Sequence, residues 1–180
     1  MNLQGAPMTT VRPFGLACLV LLMAAPASAQ EPQPQKLLDA VTRSVLRDPA
    51  TYAPALAKFS GMQLDWESSQ IFFRHGFVER NERFTVSGRS NDVALSHGAG
   101  NRKIVLDSLI VLARSAPANF AQRSVEQLLI RKYPSHRKAL TVAGHITRLA
   151  GSSYLTYATS FAHFQQWRRN ERLARELGFK

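Results

Sequence analysis

The sequence contains very little cysteine. Cys18 is the only one in 180 residues, and it lies within the apolar run 14–25. Because this run is expected to be removed with a signal peptide, the mature chain would hold no disulfide bond, no catalytic thiolate and no cysteine-ligated zinc. A lipid anchor at Cys18 is disfavoured, since a lipoprotein signal places its cysteine after the apolar stretch.

Acidic residues are also scarce. Only 12 Asp and Glu stand against 23 Lys and Arg, a formal net charge of +11 at pH 7. Loss of residues 1–29 would remove Arg12 alone, leaving 22 basic against 12 acidic residues and a charge of +10. This excess predicts either simple solubility or contact with an anionic envelope component or an acidic partner. Nucleic acid is not expected as a partner of an exported chain.

The five histidines do not form a metal-binding pattern. No two are three or four residues apart, the spacing that places two imidazoles on one helix face. His145 and His163 share a face of a straight helix, but they would lie about 27 Å apart at 1.5 Å per residue. The sequence therefore predicts no metal site, and it contains no motif that would bind a cofactor.

The first 29 residues are ordered like a cleaved secretory signal peptide. Arg12 precedes the apolar run, and Ala27-Ser28-Ala29 offers the small side chains that signal peptidase requires. The run is too short for a membrane-spanning helix. We expect a protein exported to the periplasm or secreted, with Met1 or Met8 as the start and no transmembrane helix in the mature chain.

A Pro/Gln-rich tail at 30–35 is expected to precede a single helical domain at 36–180. Apolar residues recur at helical spacing over most of this range, and the run 104–112 is apolar nearly all round. This pattern predicts a mainly α fold, an irregular bundle of five or six helices. Residues 78–100 lack helical spacing and predict one long loop or a small hairpin excursion.

Several residues predict where helices begin and end. Asp48 is expected to cap a helix whose first residue is Pro49. Gly61 is expected to interrupt that helix. Pro117 is expected to end another, with Asn119 as the next cap, and the small residues 151–153 to break or kink the last.

An anion-binding helix start is predicted at Gly98-Ala99-Gly100-Asn101-Arg102-Lys103. Gly98 and Gly100 would let the backbone approach a ligand, Asn101 would cap the helix, and Arg102 and Lys103 would supply charge. The segment is not a Walker motif, and Lys103 stands where a dinucleotide fingerprint has its third glycine. The alternative interpretation is a capped turn without a ligand.

The nearest approach to an acid–base cluster is formed by Asp65, Glu67, His75 and Glu79, around Trp66 and three phenylalanines. A carboxylate buried beside Trp66 would have a raised pKa and could act as a general acid. Alternatively, Asp65 caps a helix, Glu67 and Glu79 face water, and the aromatic rings fill the core. The spacing requires neither interpretation, so the sequence does not identify catalytic residues.

The C-terminal segment 167–177 is a basic amphipathic helix with Trp167 at its start. Such a helix can make peripheral contact with an anionic membrane. Alternatively, Trp167, Leu173 and Leu177 dock on the core of the domain itself and the arginines face water.

Three stretches carry a resemblance to known proteins: Asp48-Pro49-Ala50-Thr51-Tyr52-Ala53-Pro54, Leu64-Asp65-Trp66-Glu67-Ser68-Ser69-Gln70 and Phe72-Phe73-Arg74-His75-Gly76-Phe77. With them the chain resembles a group of exported, mainly helical bacterial proteins of unassigned function. The resemblance implies an exported helical domain and brings no catalytic residues with it.

Two functions remain open from the sequence. The leading hypothesis is an exported, non-enzymatic helical module that binds an anionic surface, ligand or partner in the cell envelope or outside the cell. The alternative is a cofactor-independent hydrolase or lyase that uses Asp65, Glu67 and His75.

Overall fold

The computed structural model describes residues 34–179, so the predicted signal peptide and most of the predicted tail lie outside the described residues. Over these residues the chain forms four α-helices, three of them long: α1 (Pro34–Arg47), α2 (Pro49–Arg74), α3 (His97–Lys132) and α4 (Arg137–Glu176). Two short 3-10 helices lie at Glu82–Phe84 and Pro134–His136. The mainly α prediction is confirmed, whereas the predicted number of five or six helices is wrong.

Two glycines that were expected to interrupt helices, Gly61 and Gly151, instead lie inside them. A Cβ atom on Gly61 would come within 3.3 Å of the Ser160 carbonyl oxygen and the Phe164 ring of α4. A Cβ on Gly151 would lie 3.4 Å from the Gln122 side chain of α3. At Gly61 glycine permits close helix contact, and tertiary packing outweighs its low helix propensity, whereas at the exposed Gly151 a Cβ would make an ordinary contact.

Pro117 also lies within a helix, because at its exposed position the missing hydrogen bond costs little free energy. Pro117 and Ala113, whose carbonyl loses its usual partner, are both exposed, so water can bond that carbonyl. Asn119 is not a helix cap. Its side-chain amide donates to the Thr51 hydroxyl, and the Ser115 hydroxyl donates to the Thr51 carbonyl at 2.7 Å. These bonds hold α3 against the start of α2.

The three long helices pack side by side. Contacts between α2 and α3 run in opposite directions along the chain, from Thr51 with Asn119 to Gln63 with Asn101, so these helices are antiparallel. α1 packs against α3.

Contacts between α2 and α4 run in the same direction, from Asp48 with Arg148 to Ser68 with Asn170. α2 and α4 are therefore parallel, and α3 runs back from the end of α2 to the start of α4.

Asp48 caps α2 by accepting the Ala50 N–H at 3.0 Å, as its sequence position predicts.

Residues 75–96 form the excursion that joins α2 to α3. Isolated antiparallel bridges pair Glu79 with Asp92 and Thr85 with Ala94. Phe84 of this excursion completes a small core with Met62, Trp66 and Ile104. The excursion thus closes one end of the bundle and forms one wall of a cavity there.

Many buried side chains in this protein are polar, and many exposed side chains are large and apolar. Within residues 36–179, many polar side chains are buried at the helix contacts while large apolar side chains are exposed, among them Leu106, Leu109, Ile110, Val125, Leu128, Val142, Ile146, Leu149, Tyr154, Tyr157 and Phe161. By length and composition α3 could cross a membrane, a test that the core helix of a soluble protein also passes. Exposed apolar surface on this scale favours contact with something outside the monomer.

Candidate functional sites

The predicted anion-binding segment lies inside α3 rather than in a turn before it. The Ser96 hydroxyl accepts the Ala99 N–H at 3.4 Å, so α3 begins at His97 and the whole segment 98–103 is helical. Asn101 is therefore not the cap, and its side chain lies 3.4 Å from the Gln63 amide. Ser96 is the better cap because it directly precedes the helical spacing.

The two glycines of this segment differ in their surroundings. Gly100 is buried against the Trp66 indole, and a Cβ there would overlap the ring, with Nε1 2.6 Å away. Gly98 is exposed and has no atom within 4 Å of an added Cβ. Gly100 thus serves packing rather than the approach of a ligand. Arg102 is exposed and Lys103 is half-buried.

A cavity of about 510 Å³ lies between the second half of α2, the excursion and the second half of α4. Aromatic and aliphatic side chains form most of its wall: Met62, Trp66, Phe72, Phe73, Phe77, Val78, Phe84 and Leu173. Its charged groups are Asp65, Glu79, Arg80, His163 and Arg169. Apolar walls with a few convergent polar groups are typical of small-molecule sites.

Asp65 is linked to α4 through His163. The Nδ1 atom of His163 lies 2.9 Å from the Asp65 carboxylate, and its Nε2 atom lies 2.9 Å from the Lys58 ammonium nitrogen. With Nδ1–H donating to Asp65, Nε2 accepts from Lys58, so neither nitrogen is free to act as a base. Burial lowers the pKa of Lys58. The three residues tie α2 to α4, with Asp65 and His163 on the cavity wall.

Glu79 is the second carboxylate on the cavity wall. Burial raises the pKa of Glu79, and the negative charge of Asp65 adds to this shift, while the N–H groups of Asn81 and Arg80 oppose it. The Asn81 N–H donates to Glu79 Oε1 at 2.7 Å. Glu79 is thus a carboxyl on the cavity wall that is disposed to hold a proton.

The structure does not bring Asp65, Glu67 and His75 together. Glu67 pairs with His97 at 2.8 Å on an exposed surface. The His75 ring stacks on Phe179 with centroids 3.8 Å apart, also outside the cavity. The actual partner of Asp65 is distant in sequence, so helical spacing gave no signal for it.

A basic corner that sequence analysis missed joins α3 to α4. It consists of Arg131, Lys132, Arg137 and Lys138, all exposed, with His136 between them. None of the four takes part in the ion pairs found within residues 34–179. A signal was present in the sequence, because no acidic residue occurs between Glu126 and Glu171.

The end of α4 carries the basic segment predicted for peripheral membrane contact. Trp167 is half-buried and Asn170 is buried, its amide donating to the Ser68 and Ser69 hydroxyls at 3.0 Å. Leu173 is 37% exposed and Leu177 is 46% exposed. The helix thus docks through Asn170, and Leu173 lines the cavity. Membrane contact through this segment stays a prediction.

A buried ion cluster connects α2, α3 and α4 at the end away from the cavity. Arg123 lies 2.7 Å from Asp48, Arg148 Nε lies 3.2 Å from Asp48, and Arg148 also pairs with Glu126. Burial opposes ionisation of Asp48, but the Ala50 N–H and the Arg123 guanidinium outweigh it and lower the pKa of that carboxyl. None of these four residues lines the cavity, and only Arg123 among them, 19% exposed, reaches the surface, which favours a structural role.

Residues 34–179 contain no group of three or more His, Cys, Asp or Glu side chains that could hold a metal ion. Comparison of the whole chain with known families, curated proteins and solved structures found no match, so a function must be inferred from the chain's own residues.

Proposed function

We propose that this chain is an exported, non-enzymatic module that binds an anionic membrane surface through the basic corner. The observation that carries the proposal is the grouping of four exposed cations, Arg131, Lys132, Arg137 and Lys138, without a carboxylate partner among the described residues. Leu128, 55% exposed one turn away, adds apolar surface beside them.

The corner is suited to a flat, phosphate-bearing surface. The 3-10 turn Pro134–His136 joins α3 to α4 directly, and the His136 N–H donates to the Tyr133 carbonyl at 3.0 Å. The four cations therefore sit on rigid helix ends, which lowers the entropy lost on binding. Each Lys or Arg near an anionic membrane contributes about 1 kcal/mol, and salt weakens this attraction by screening.

Removal of two of these charges should weaken binding to anionic vesicles. For Arg131→Ala with Lys132→Ala we expect about 2 kcal/mol less binding free energy, or about a 30-fold lower partition coefficient. The measurement is co-sedimentation with phosphatidylglycerol-containing vesicles at two salt concentrations, with pure phosphatidylcholine vesicles as the uncharged reference.

The matched control is Arg102→Ala with Lys103→Ala, which removes the same net charge from the other end of α3. If the corner makes the contact, this variant should bind nearly as well as the original protein. Equal losses in both variants would show that only net charge matters. A loss confined to the control would place the anion site at the segment predicted from the sequence.

A second function, cofactor-independent hydrolysis or elimination, is favoured by one observation: Asp65 and Glu79 line the same cavity beside Trp66. In this role Glu79 would donate a proton to the leaving group and the Asp65 carboxylate would accept one from water or substrate. This pair replaces the cluster of Asp65, Glu67 and His75 expected from the sequence.

Glu79→Gln tests this second function through stability and activity together. Because burial raises the folded-state pKa of Glu79, this carboxyl favours folding at low pH and loses that contribution as pH rises through the folded-state pKa. We therefore expect the amide to make the protein more stable at pH 7. Activity on a substrate panel that survives Glu79→Gln would exclude Glu79 as the acid.

A further inference from the structure

One side of α4 presents an apolar face that nothing in the described part of the chain covers. Val142, Ile146, Leu149, Ser153, Tyr157 and Phe161 follow one another at spacings of three and four residues, so they lie on one side of the helix. The five apolar members are between 43% and 61% exposed. Tyr157 and Phe161 stack with ring centroids 4.7 Å apart, which makes a firm ridge.

A groove runs beside this face, between the start of α2 and the middle of α4. Its volume is about 470 Å³, and no charged residue lines it: the lining residues are Pro49, Ala50, Ala53, Leu149, Ser152, Ser153, Thr156, Tyr157, Ser160, Phe161 and Phe164. From Ala139 to Gln165 the only Lys, Arg, Asp or Glu in the chain is Arg148, which is buried.

We infer that this face binds the same face of a second copy of the chain, with the two α4 helices antiparallel and crossing at Ser153. The net charge of the chain indicates that a second copy is the partner of this face. Two chains of net charge +11 repel each other, and they can approach most closely where their surfaces carry no charge. A phospholipid surface would attract the basic corner rather than this uncharged side.

The order of residue sizes along α4 also fits a two-fold axis. Among the residues of the face, Leu149 and Tyr157 stand four residues before and after Ser153, and Ile146 and Phe161 stand seven before and eight after it. In an antiparallel pair centred on Ser153, Leu149 of each copy meets Tyr157 of the other. A self-complementary interface of this kind is what a two-fold dimer requires.

This arrangement also keeps the basic corners apart. Arg137 is 16 residues from Ser153, so the two corners would lie about 48 Å from each other at 1.5 Å per residue. That distance is several times the Debye length of about 8 Å at physiological salt. The dimer therefore avoids repulsion between its most charged regions, and it leaves both corners free.

Cross-linking tests the position of the axis. With Cys18→Ser removing the only native cysteine, Ser153→Cys should give a disulfide-linked dimer in nearly full yield on mild oxidation. Val142→Cys in the same background should give little, because the two copies of residue 142 would lie about 33 Å apart. Both sites are exposed, so neither change disturbs the core.

Cross-linking of Val142→Cys as readily as Ser153→Cys would overturn the antiparallel dimer, since a parallel pair or random collision gives that result. No cross-link at Ser153 would overturn it as well.

Charge placed in the face tests the interface without cysteine. Ile146→Arg introduces two like charges into a two-fold interface and should weaken dimerisation at least tenfold in sedimentation equilibrium, by about 1.4 kcal/mol or more. Leu106→Arg on α3 is the matched control, because both side chains are 60% exposed. A native protein that is monomeric at 100 μM, or equal effects of both variants, would refute the proposal.

Discussion

Arg148→Ala is expected to lower the free energy of unfolding by about 3 to 5 kcal/mol. Arg148 is 3% exposed and contacts both Asp48 and Glu126, so its removal leaves buried carboxylates short of a counter-charge. Arg123 stays 2.7 Å from Asp48, but it is further from Glu126, at 3.7 Å. Glu126 therefore loses more of its neutralising charge than Asp48 does. Urea unfolding followed by far-ultraviolet circular dichroism measures the loss.

The matched variant removes both members of the strongest pair. Arg148→Met with Glu126→Gln takes away the cation together with the carboxylate that it neutralises, and it should recover much of the lost stability, because no charge is left without its partner. Glu126→Gln alone should cost less than Arg148→Ala, since Arg148 keeps Asp48. An Arg148→Ala protein within 1 kcal/mol of the original would show that water reaches the cluster.

This ion cluster illustrates what the sequence could and could not predict about the fold. Asp48 and Pro49 marked the start of α2 correctly, since capping is a local interaction between neighbours in the chain. The pairing of Asp48 with Arg123 and Arg148 joins three helices, and local spacing contains no information about it. Helical spacing is equally uninformative about Gly61, because the packing that favours glycine there comes from α4. Pro117 stays helical because it and Ala113 are exposed, and exposure is set by the fold rather than by neighbours in the chain.

In the candidate sites, too, the sequence predicts local groupings of residues but not contacts between distant segments. Trp66 and Asp65 could be singled out because both lie in one short segment, but His163 lies 98 residues beyond Asp65 and meets it only in the folded protein. The basic corner was detectable as a long stretch without acidic residues, and the significance of its cations comes from their exposure at a helix junction. Composition thus predicts contact with an anion, and the exposed cations at this junction are where we propose that contact.

Gly100→Ala is expected to destabilise the protein by about 3 kcal/mol, although alanine is the better helix former. The added Cβ would overlap the Trp66 ring, which is 4% exposed and belongs to the small core with Met62, Phe84 and Ile104. The ring cannot move aside, because it is also in contact with Phe73 and Phe84, with centroids 5.7 and 5.3 Å away. Either α3 shifts or the core opens.

Gly98→Ala is the matched control, since it makes the same chemical change two residues earlier in α3. No atom lies within 4 Å of its added Cβ, and the unfolded chain loses freedom, so stability should rise by about 0.4 to 1 kcal/mol. Opposite signs for the two variants in thermal unfolding, with a changed tryptophan fluorescence spectrum for Gly100→Ala alone, would establish that Gly100 is required for packing. Equal, small effects at both positions would show instead that α3 does not press on Trp66, and would reopen the segment from Gly98 to Lys103 as a flexible anion-binding turn.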